Sequence, residues 1–455
     1  MEKIFPIFYS EYGRYITKLR AIPWEIDCLK PVERRLLLGL HKEARQKNVK
    51  SIKVVGTTMG LWHGHGDQSV YGSLVRLVQQ GYAIGQGNWG AYSRFGRDKA
   101  AGYRYTEVKL SPWVDNLAFK YYKFVQWDEI EQDIEPLSLP FPVPLGLIGT
   151  GIIEGIAFHK TTIPKYSFDD LIKRCISLIE GKPVNENIIK PSIKGCTTQQ
   201  VGQQDYLDLL TNGTGELYII PNGKILKKKI EILGRSPFKS FNTLLKNIEN
   251  KNLNVHVDDE CGEEIKLIIT PKKSKTDINK LSQEIWSNYL ISNSKFNCYT
   301  CNENGQIQQL GIDELIKISY TNWSNASLNK KINDLNNINK RKFENNVIEI
   351  IRYIFEKYKT HKIEELIKHY KTYTNGVDVL VNFDKYDVIT KNWLIFQASI
   401  EVKDLIDVCK KKTIQRLIEH KNEIKIINND LNLIKQQINA HDSLCIQEVK
   451  QMKLK

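Results

Sequence analysis

No stretch of about 20 consecutive apolar residues occurs in this chain, so no membrane-spanning helix is expected. The most apolar segment, Leu139 to Phe158, is broken by Pro140, Pro142, Pro144, several glycines and Glu154. It reads instead as buried turn and strand. The N-terminus, MEKIFPIFYSEYGRY, lacks the apolar core of a secretory signal. Acidic residues are in deficit: 52 Asp and Glu against 66 Lys and Arg leave a formal net charge of +14 and a pI near 9.1. That balance favours a polyanionic partner, nucleic acid ahead of an acidic membrane face. Cysteine is sparse, and Cys298 with Cys301 forms the one CxxC pair, with no second CxxC or HxxxH to complete four ligands. Free thiols in a reducing cytoplasm are the expectation, and neither zinc nor a nicotinamide cofactor is. GxxxxGK[ST] and clustered DxD acids are missing as well, so neither a nucleotide-phosphate loop nor an acidic metal site is expected within the chain.

What is present points to a folded chain of several parts. Hydrophobic residues make up 41% and charged residues 26%, which excludes collagen-like, disordered and disulfide-scaffold classes. A length of 455 residues predicts about three domains. The first 170 residues are rich in Gly, Trp and Tyr; from about Lys160 onward Asn, Lys and Ile dominate. Residues 215–320 mix β-like runs (Glu216–Ile220, Lys266–Ile269) with helical segments (Phe241–Lys251, Asp277–Leu290), which predicts an α+β insert. Leu328, Ile332 and Leu335 recur at helical spacing. Leu417, Ile424, Leu431 and Ile438 repeat every seven residues, with Ile427 and Ile434 between them and His420 as a polar interruption. This pattern predicts coiled-coil arms flanking a helical block at 343–410; an ordinary amphipathic helix would give a similar periodicity.

Four segments could carry chemistry. Leu29-Lys30-Pro31-Val32-Glu33-Arg34-Arg35 places three cations around a helix start, where Pro is tolerated and the free amides cradle phosphate. A basic cluster is also the ordinary composition of a solvated face. Ser51 to Gln80 reads as helix, Gly64-His65-Gly66-Asp67 turn, helix, with Val54, Val55 and Met59 on one core face and Val70, Leu74 and Leu77 on the other. His63 and His65 flank the turn, where they could donate to phosphates or be merely structural. Gly85-Gln86-Gly87-Asn88-Trp89-Gly90 permits close backbone approach to a ligand or a neighbouring chain. Ala100 to Glu107 contains Arg104-Tyr105, and a guanidinium beside a phenolate can support attack on phosphorus. With 21 tyrosines in the chain, that pairing alone decides nothing.

Taken together these segments resemble the breakage–reunion (A-type) subunit of type IIA DNA topoisomerases: the gyrase and topoisomerase IV A subunits and the short cleavage subunit of phages. The motifs are Arg20-Ala21-Ile22-Pro23, Leu29-Lys30-Pro31-Val32 with Arg34-Arg35, Val54-Val55-Gly56, His63 to Tyr71, Gly85 to Gly90, Ala100 to Glu107, Gly151-Ile152 with Gly155-Ile156-Ala157, and Ile163-Pro164. They run in the family's order across residues 1–180. The resemblance implies an α+β multidomain fold. A winged-helix (helix-turn-helix) DNA-cleavage domain would span 1–170 and an α/β tower domain 171–310. Long coiled-coil arms would lie at 311–342 and 411–445, with a helical C-gate dimerisation block at 343–410.

The same resemblance implies roles. Tyr105 aligns with the nucleophile that becomes linked to the 5′-phosphate, and Arg104 with its supporting arginine. Arg20, grouped with the catalytic pair, and Lys30, Arg34, Arg35, His63 and His65 fall on positions that contact or neutralise phosphates near the scissile bond; Gln68 and Ser69 lie on the recognition helix. Ile152 aligns with an isoleucine wedged between base pairs. The implied partners are double-stranded DNA, a second copy of the chain, and a separate TOPRIM/ATPase (B-type) subunit that carries Mg²⁺ and ATP. The expected activity is relaxation and decatenation in a cytoplasmic, nucleoid-associated setting, or in the host cytoplasm if the source is viral. The alternative is a catalytically inactive DNA-binding clamp of the same fold; a bare helix-turn-helix regulator does not fit the length or the arms. Three departures stand out. The chain ends soon after the second arm, which argues against a DNA-wrapping tail and for a phage-like layout. Gln68 and Gly72 replace the Ser and acid that anchor quinolones, which implies weak quinolone sensitivity. Ala91 to Lys99, with Arg94, Arg97 and Lys99, is longer than usual and could add phosphate contacts or be a plain insertion.

Overall fold

The computed structural model describes residues 12–13, 17–93, 96–97, 99–130, 133–156, 159–239, 245–246, 248, 253–273, 276–358 and 423–453. Two compact units emerge, one formed by residues 1–327 with 445–455 and the other by 328–444.

The first unit begins with three helices packed on one another: α1 (Pro31–Glu43), α2 (Ser51–Leu61) and α3 (Asp67–Gln79). Pro31 opens α1, and Glu33 Oε2 accepts the Lys30 N–H at 3.0 Å, satisfying one of the free amides of the first turn. Leu36, Leu37 and Leu40 are wholly buried. The crossing of α1 over α2 is tight at Gly39, where a Cβ would collide with Thr58 Oγ1. The predicted core faces hold: Val54 and Val55 of α2 and Val70, Leu74 and Leu77 of α3 are buried, and Arg76 is exposed. A three-stranded antiparallel sheet closes this layer, with β3 (Glu107–Leu110) between β1 (Val49–Lys50) and β2 (Ala83–Gln86). Val49 pairs with Val108 and Ala83 with Leu110.

The apolar segment after Leu139 is buried turn and strand, as its prolines predict: Leu139, Phe141, Val143, Leu145 and Leu147 show no exposure. It leads into β4 (Ile152–Ile156) and β5 (Lys160–Pro164), then into α4 (Phe168–Ile179). A single five-stranded sheet draws strands from both sides of residues 170 and 171. In order this sheet is β6 (Cys196–Gln200), β7 (Thr214–Pro221), β12 (Ser292–Asn297), β5 and β4. The buried Arg174–Asp313 pair, at 2.6 Å, ties α4 to the later chain.

A four-stranded sheet of β8 (Gly223–Ile225), β9 (Ile230–Ile232), β11 (Leu267–Pro271) and β10 (Val255–Asp259) packs its own core against α5 (Ile278–Ile285). This is the predicted α+β mixture; most of the helix expected at Phe241–Lys251 lies outside the described residues. Cys298 and Cys301 are buried, and burial pushes the Cys298 thiol up to about 12.

The second unit contains parts of α6 (Ile312–Tyr358) and α8 (His441–Gln451), and all of α7 (Glu423–Asn439). Ile338 packs with Ile427 and Ile434, and Leu335, Leu431 and Ile438 close the seam. Arg341 pairs with Asp430 and Lys331 with His441, so the two chain directions oppose. Ile332 departs from the predicted apolar seam, with 41% exposure. The 3–4 spacing on α7 carries the seam, whereas Ile332, six residues before Ile338, lies about 120° round the helix from it. Leu417, His420 and the block from 359 to 410 lie outside the described residues.

Candidate functional site

Tyr105 is the most exposed tyrosine of the cleavage-like segment, at 71%, and Arg104 beside it is exposed as well. The segment that carries them is held by backbone. Ser51 N–H donates to Thr106 O at 3.0 Å and Ile52 N–H to Tyr103 O at 3.2 Å, so the first amides of α2 bind the loop rather than water. Tyr71 Oη donates to Ala101 O at 2.5 Å and lies 3.0 Å from Thr106 Oγ1; Thr106 Oγ1 in turn donates to Ser51 Oγ at 2.8 Å. Tyr103 Oη donates to Asp67 Oδ2 at 2.7 Å, which joins the loop to the first turn of α3. The glycine-dense loop lies against the Tyr105 segment. Gly87 has φ +100°, and a Cβ there would lie 3.5 Å from Tyr105 O. Asn88 O accepts Ala101 N–H at 2.9 Å. An exposed phenol is thus mounted on a loop with no slack.

A second group forms around α1 and the turn after α2. Arg35 is fully buried and meets Glu135 through Nη2 at 2.7 Å and Nε at 3.0 Å. Its Nη1 lies 2.8 Å from His63 Nδ1. The His63 ring stacks on His65 at 4.2 Å. Burial first, and then the charges of Arg35, His65 and Arg20, push the His63 imidazole down to about 3. Arg20 is exposed and close enough to His63 to bear on that value.

Two of the positions expected to contact or neutralise phosphates, Arg34 and Arg35, are buried and paired with carboxylates. Arg34, 1% exposed, is bidentate to Asp27, with Nε at 2.8 Å and Nη2 at 3.0 Å, and stacks over Trp24. Arg35 is spent on Glu135 and His63. Both guanidiniums are interior struts, because a buried cation requires a paired carboxylate more than it requires a distant phosphate. Lys30 is half-buried, and burial lowers its ammonium despite Glu33 nearby. Gln68 and Ser69 are exposed on the first turn of α3. Gly72 has open space beyond its α-carbon. Ile152 is half-buried at the start of β4, paired with Pro164. Within Ala91 to Lys99 a short ladder pairs Tyr92 with Arg97 and Ser93 with Gly96, and Lys99 is exposed; Arg94 and the Arg97 side chain lie outside the described residues.

The two groups are separate. Tyr105 is fixed at the start of α2 and His63 follows its end; eleven residues at a rise of 1.5 Å each put about 16 Å between those ends. Asp27, Glu135, Tyr71, Thr106 and Ser51 are the structural residues that sequence reasoning missed. Glu135 is one hundred positions from its arginine, and nothing local signals the pairing. Among the described residues no cluster of three or more His, Cys, Asp or Glu side chains is placed to hold a metal ion.

A family model for the DNA gyrase/topoisomerase IV A subunit matches residues 20–451. The chain is similar to the DNA topoisomerase 4 A subunit of Staphylococcus aureus, at 27% identity across 100% of this chain and 60% of that protein. It is also similar to the DNA gyrase A subunit of Aminobacterium colombiense, at 29% identity over 68% of this chain and 41% of the other. The DNA gyrase A subunit of Campylobacter jejuni matches 48% of this chain at 32% identity, covering 27% of its own length. The chain thus spans at most 60% of the length of these curated relatives.

Proposed function

Since the chain belongs to the family of DNA gyrase and topoisomerase IV A subunits, we propose that it is the DNA-cleaving and religating subunit of a type II DNA topoisomerase. The observation that carries this reading is Tyr105: an exposed phenol, beside an exposed guanidinium, on a loop pinned by α2 amides and by Tyr71. The Tyr105 oxygen attacks a backbone phosphorus, and its proton is lost to a base or water. A P–O bond to Tyr105 forms as the bond to the 3′-oxygen breaks, leaving a 5′-phosphotyrosyl end and a 3′-hydroxyl. The number of phosphate ester bonds is unchanged, so reversal reseals the strand without outside energy. Arg104 offsets the charge that develops on phosphorus.

Each duplex strand is cut by one of two copies of the chain. The 16 Å offset gives the dimer a chemical purpose: the Arg20–His63–His65 group of one copy serves the Tyr105 of the other. In this reading residues 1–170 hold the winged-helix cleavage domain and the four-stranded sheet belongs to the tower. The α6–α7 pair is a coiled-coil arm leading to a C-gate within 343–410. Mg²⁺ and ATP arrive with a TOPRIM/ATPase partner, and the residues of this chain supply nucleophile, guanidinium and neutral imidazole. Relaxation and decatenation are the expected outputs, and the cytoplasm is the expected location.

The test combines the chain, a B-type partner, Mg²⁺ and supercoiled plasmid, followed by denaturant trapping. Linear DNA with protein on its 5′ ends, lost in Tyr105→Phe, supports the proposal. DNA binding with no trapped product from the intact chain would favour the inactive clamp.

A further inference from the structure

Behind β4, beside Ile152, lies a cavity of about 230 Å³. Its lining is unusual for its charge. Lys165 is 3% exposed, and its Nζ donates to Gln80 Oε1 at 2.9 Å and faces the Tyr82 ring at 5.3 Å. Neither partner carries a charge, and Lys165 has no carboxylate ion pair among the described residues. Burial brings this ammonium down to about 8, with the Glu33 carboxylate acting against that fall. Two more cations line the same cavity, half-buried Lys30 and exposed Arg76. Arg76 spends one Nη2 donor on Ser73 Oγ at 2.8 Å. Two carboxylates oppose them, Glu33 and Glu154. Glu33 is turned toward the helix start, where its Oε2 caps the Lys30 N–H. Three cations against two carboxylates, with the innermost charge positive, make a cavity suited to an anion.

We propose that this cavity is a phosphate subsite, with Lys165 as its interior cation and Lys30 and Arg76 at its mouth. Its ligand is a tetrahedral phosphoryl group, which can receive several N–H donors at once. Two sources share that chemistry: a backbone phosphate of bound duplex, and a free phosphate or pyrophosphate. The duplex source rests on the function proposed above; the free source does not. Gln80 acts here as a positioning residue, since its amide oxygen holds the Lys165 Nζ in place without neutralising it.

The experiment uses the full chain alone, without partner or Mg²⁺, in wild-type form and as Lys165→Met and Arg76→Gln. Inorganic pyrophosphate is titrated calorimetrically, and binding of a short duplex is followed as a function of salt. A drop of about one unit in the log–log salt slope in both variants identifies a duplex phosphate. Saturable pyrophosphate binding to wild type that weakens about tenfold or more in both variants, with the slope unchanged, identifies a free phosphate. Lys165→Met is close in volume, and its thermal midpoint reports whether it folds. If it does not, exposed Arg76→Gln carries both readouts. An unchanged slope together with no pyrophosphate binding, or binding equal in all forms, overturns the proposal. Because no cleavage is measured, that result leaves the role of Tyr105 standing, and loss of the Tyr105 adduct would leave the subsite standing.

Discussion

Arg35 Nη1 lies 2.8 Å from His63 Nδ1, and this contact fixes the state of the histidine. A guanidinium only donates, so Nδ1 accepts and the ring proton resides on Nε2. The imidazole is neutral at neutral pH, because burial and three nearby cationic or imidazole groups disfavour its charged form. It therefore offers one well-oriented N–H. Arg35 is in turn locked by Glu135, so a carboxylate–guanidinium–imidazole chain orients a donor that a basic cluster alone would leave loose.

The first prediction concerns acid. The His63 pKa in the folded chain is about 3, below its ordinary 6.5. Between those values the unfolded chain binds the proton and the folded chain does not. Stability from this residue is present above pH 6.5 and is lost as pH falls toward 3. The full loss is at most about 5 kcal/mol. Urea midpoints across pH 4 to 7 should fall more steeply for wild type than for His63→Gln. Equal slopes would contradict the assigned state.

Removing the Glu135 carboxylate should be far more damaging than removing a surface charge. Glu135→Ala removes the carboxylate that balances the buried Arg35 charge, and should cost about 3–5 kcal/mol in denaturant unfolding. Lys53 pairs with Glu43 at 2.7 Å but is 59% exposed; Lys53→Ala should cost no more than about 1 kcal/mol. Similar losses in both would refute the strut role given to Arg35.

Tyr71 should act through the loop. Tyr71→Phe removes a donor to Ala101 O and a partner of Thr106 Oγ1, a loss of about 1–2 kcal/mol. Amide exchange at Tyr103 to Thr106 should accelerate, and trapped cleavage should fall about tenfold while duplex affinity stays within twofold. Unchanged exchange would show that the clamp does not control the loop.

If Tyr105 and the His63 group act across two copies, inactive variants should complement. Tyr105→Phe and His63→Ala, each weak alone in trapped cleavage, should regain single-strand cutting when mixed as heterodimers. Nicked rather than linear product is expected, since one of the two sites is whole. No rescue in verified heterodimers would place both groups in one site.

Local periodicity made much of the fold legible. The helices over Ser51 and Asp67, with their core faces, follow from the spacing of Val54, Val55, Val70, Leu74 and Leu77, because burial of one stripe is a local demand. The Arg104-Tyr105 pair and its glycine loop were legible through motif order. The fates of Arg34 and Arg35 were not. Asp27 and Glu135 decide them, and Glu135 is brought near only by the fold. Lys165 was hidden for a related reason: a lysine after Ile163-Pro164 looks like surface until Gln80 and Tyr82 are seen to enclose it. The sheet that draws strands from both sides of 170/171 was not legible, because its strands are distant in sequence.

The central claim is that Tyr105 becomes covalently joined to DNA. Mass spectrometry of the trapped complex, after nuclease and protease digestion, reads this directly. The account predicts a nucleotide phosphate attached to the peptide containing Arg104-Tyr105, on the tyrosine oxygen and through a 5′-phosphate. An adduct on any other residue, or a 3′-phosphate linkage, would contradict it.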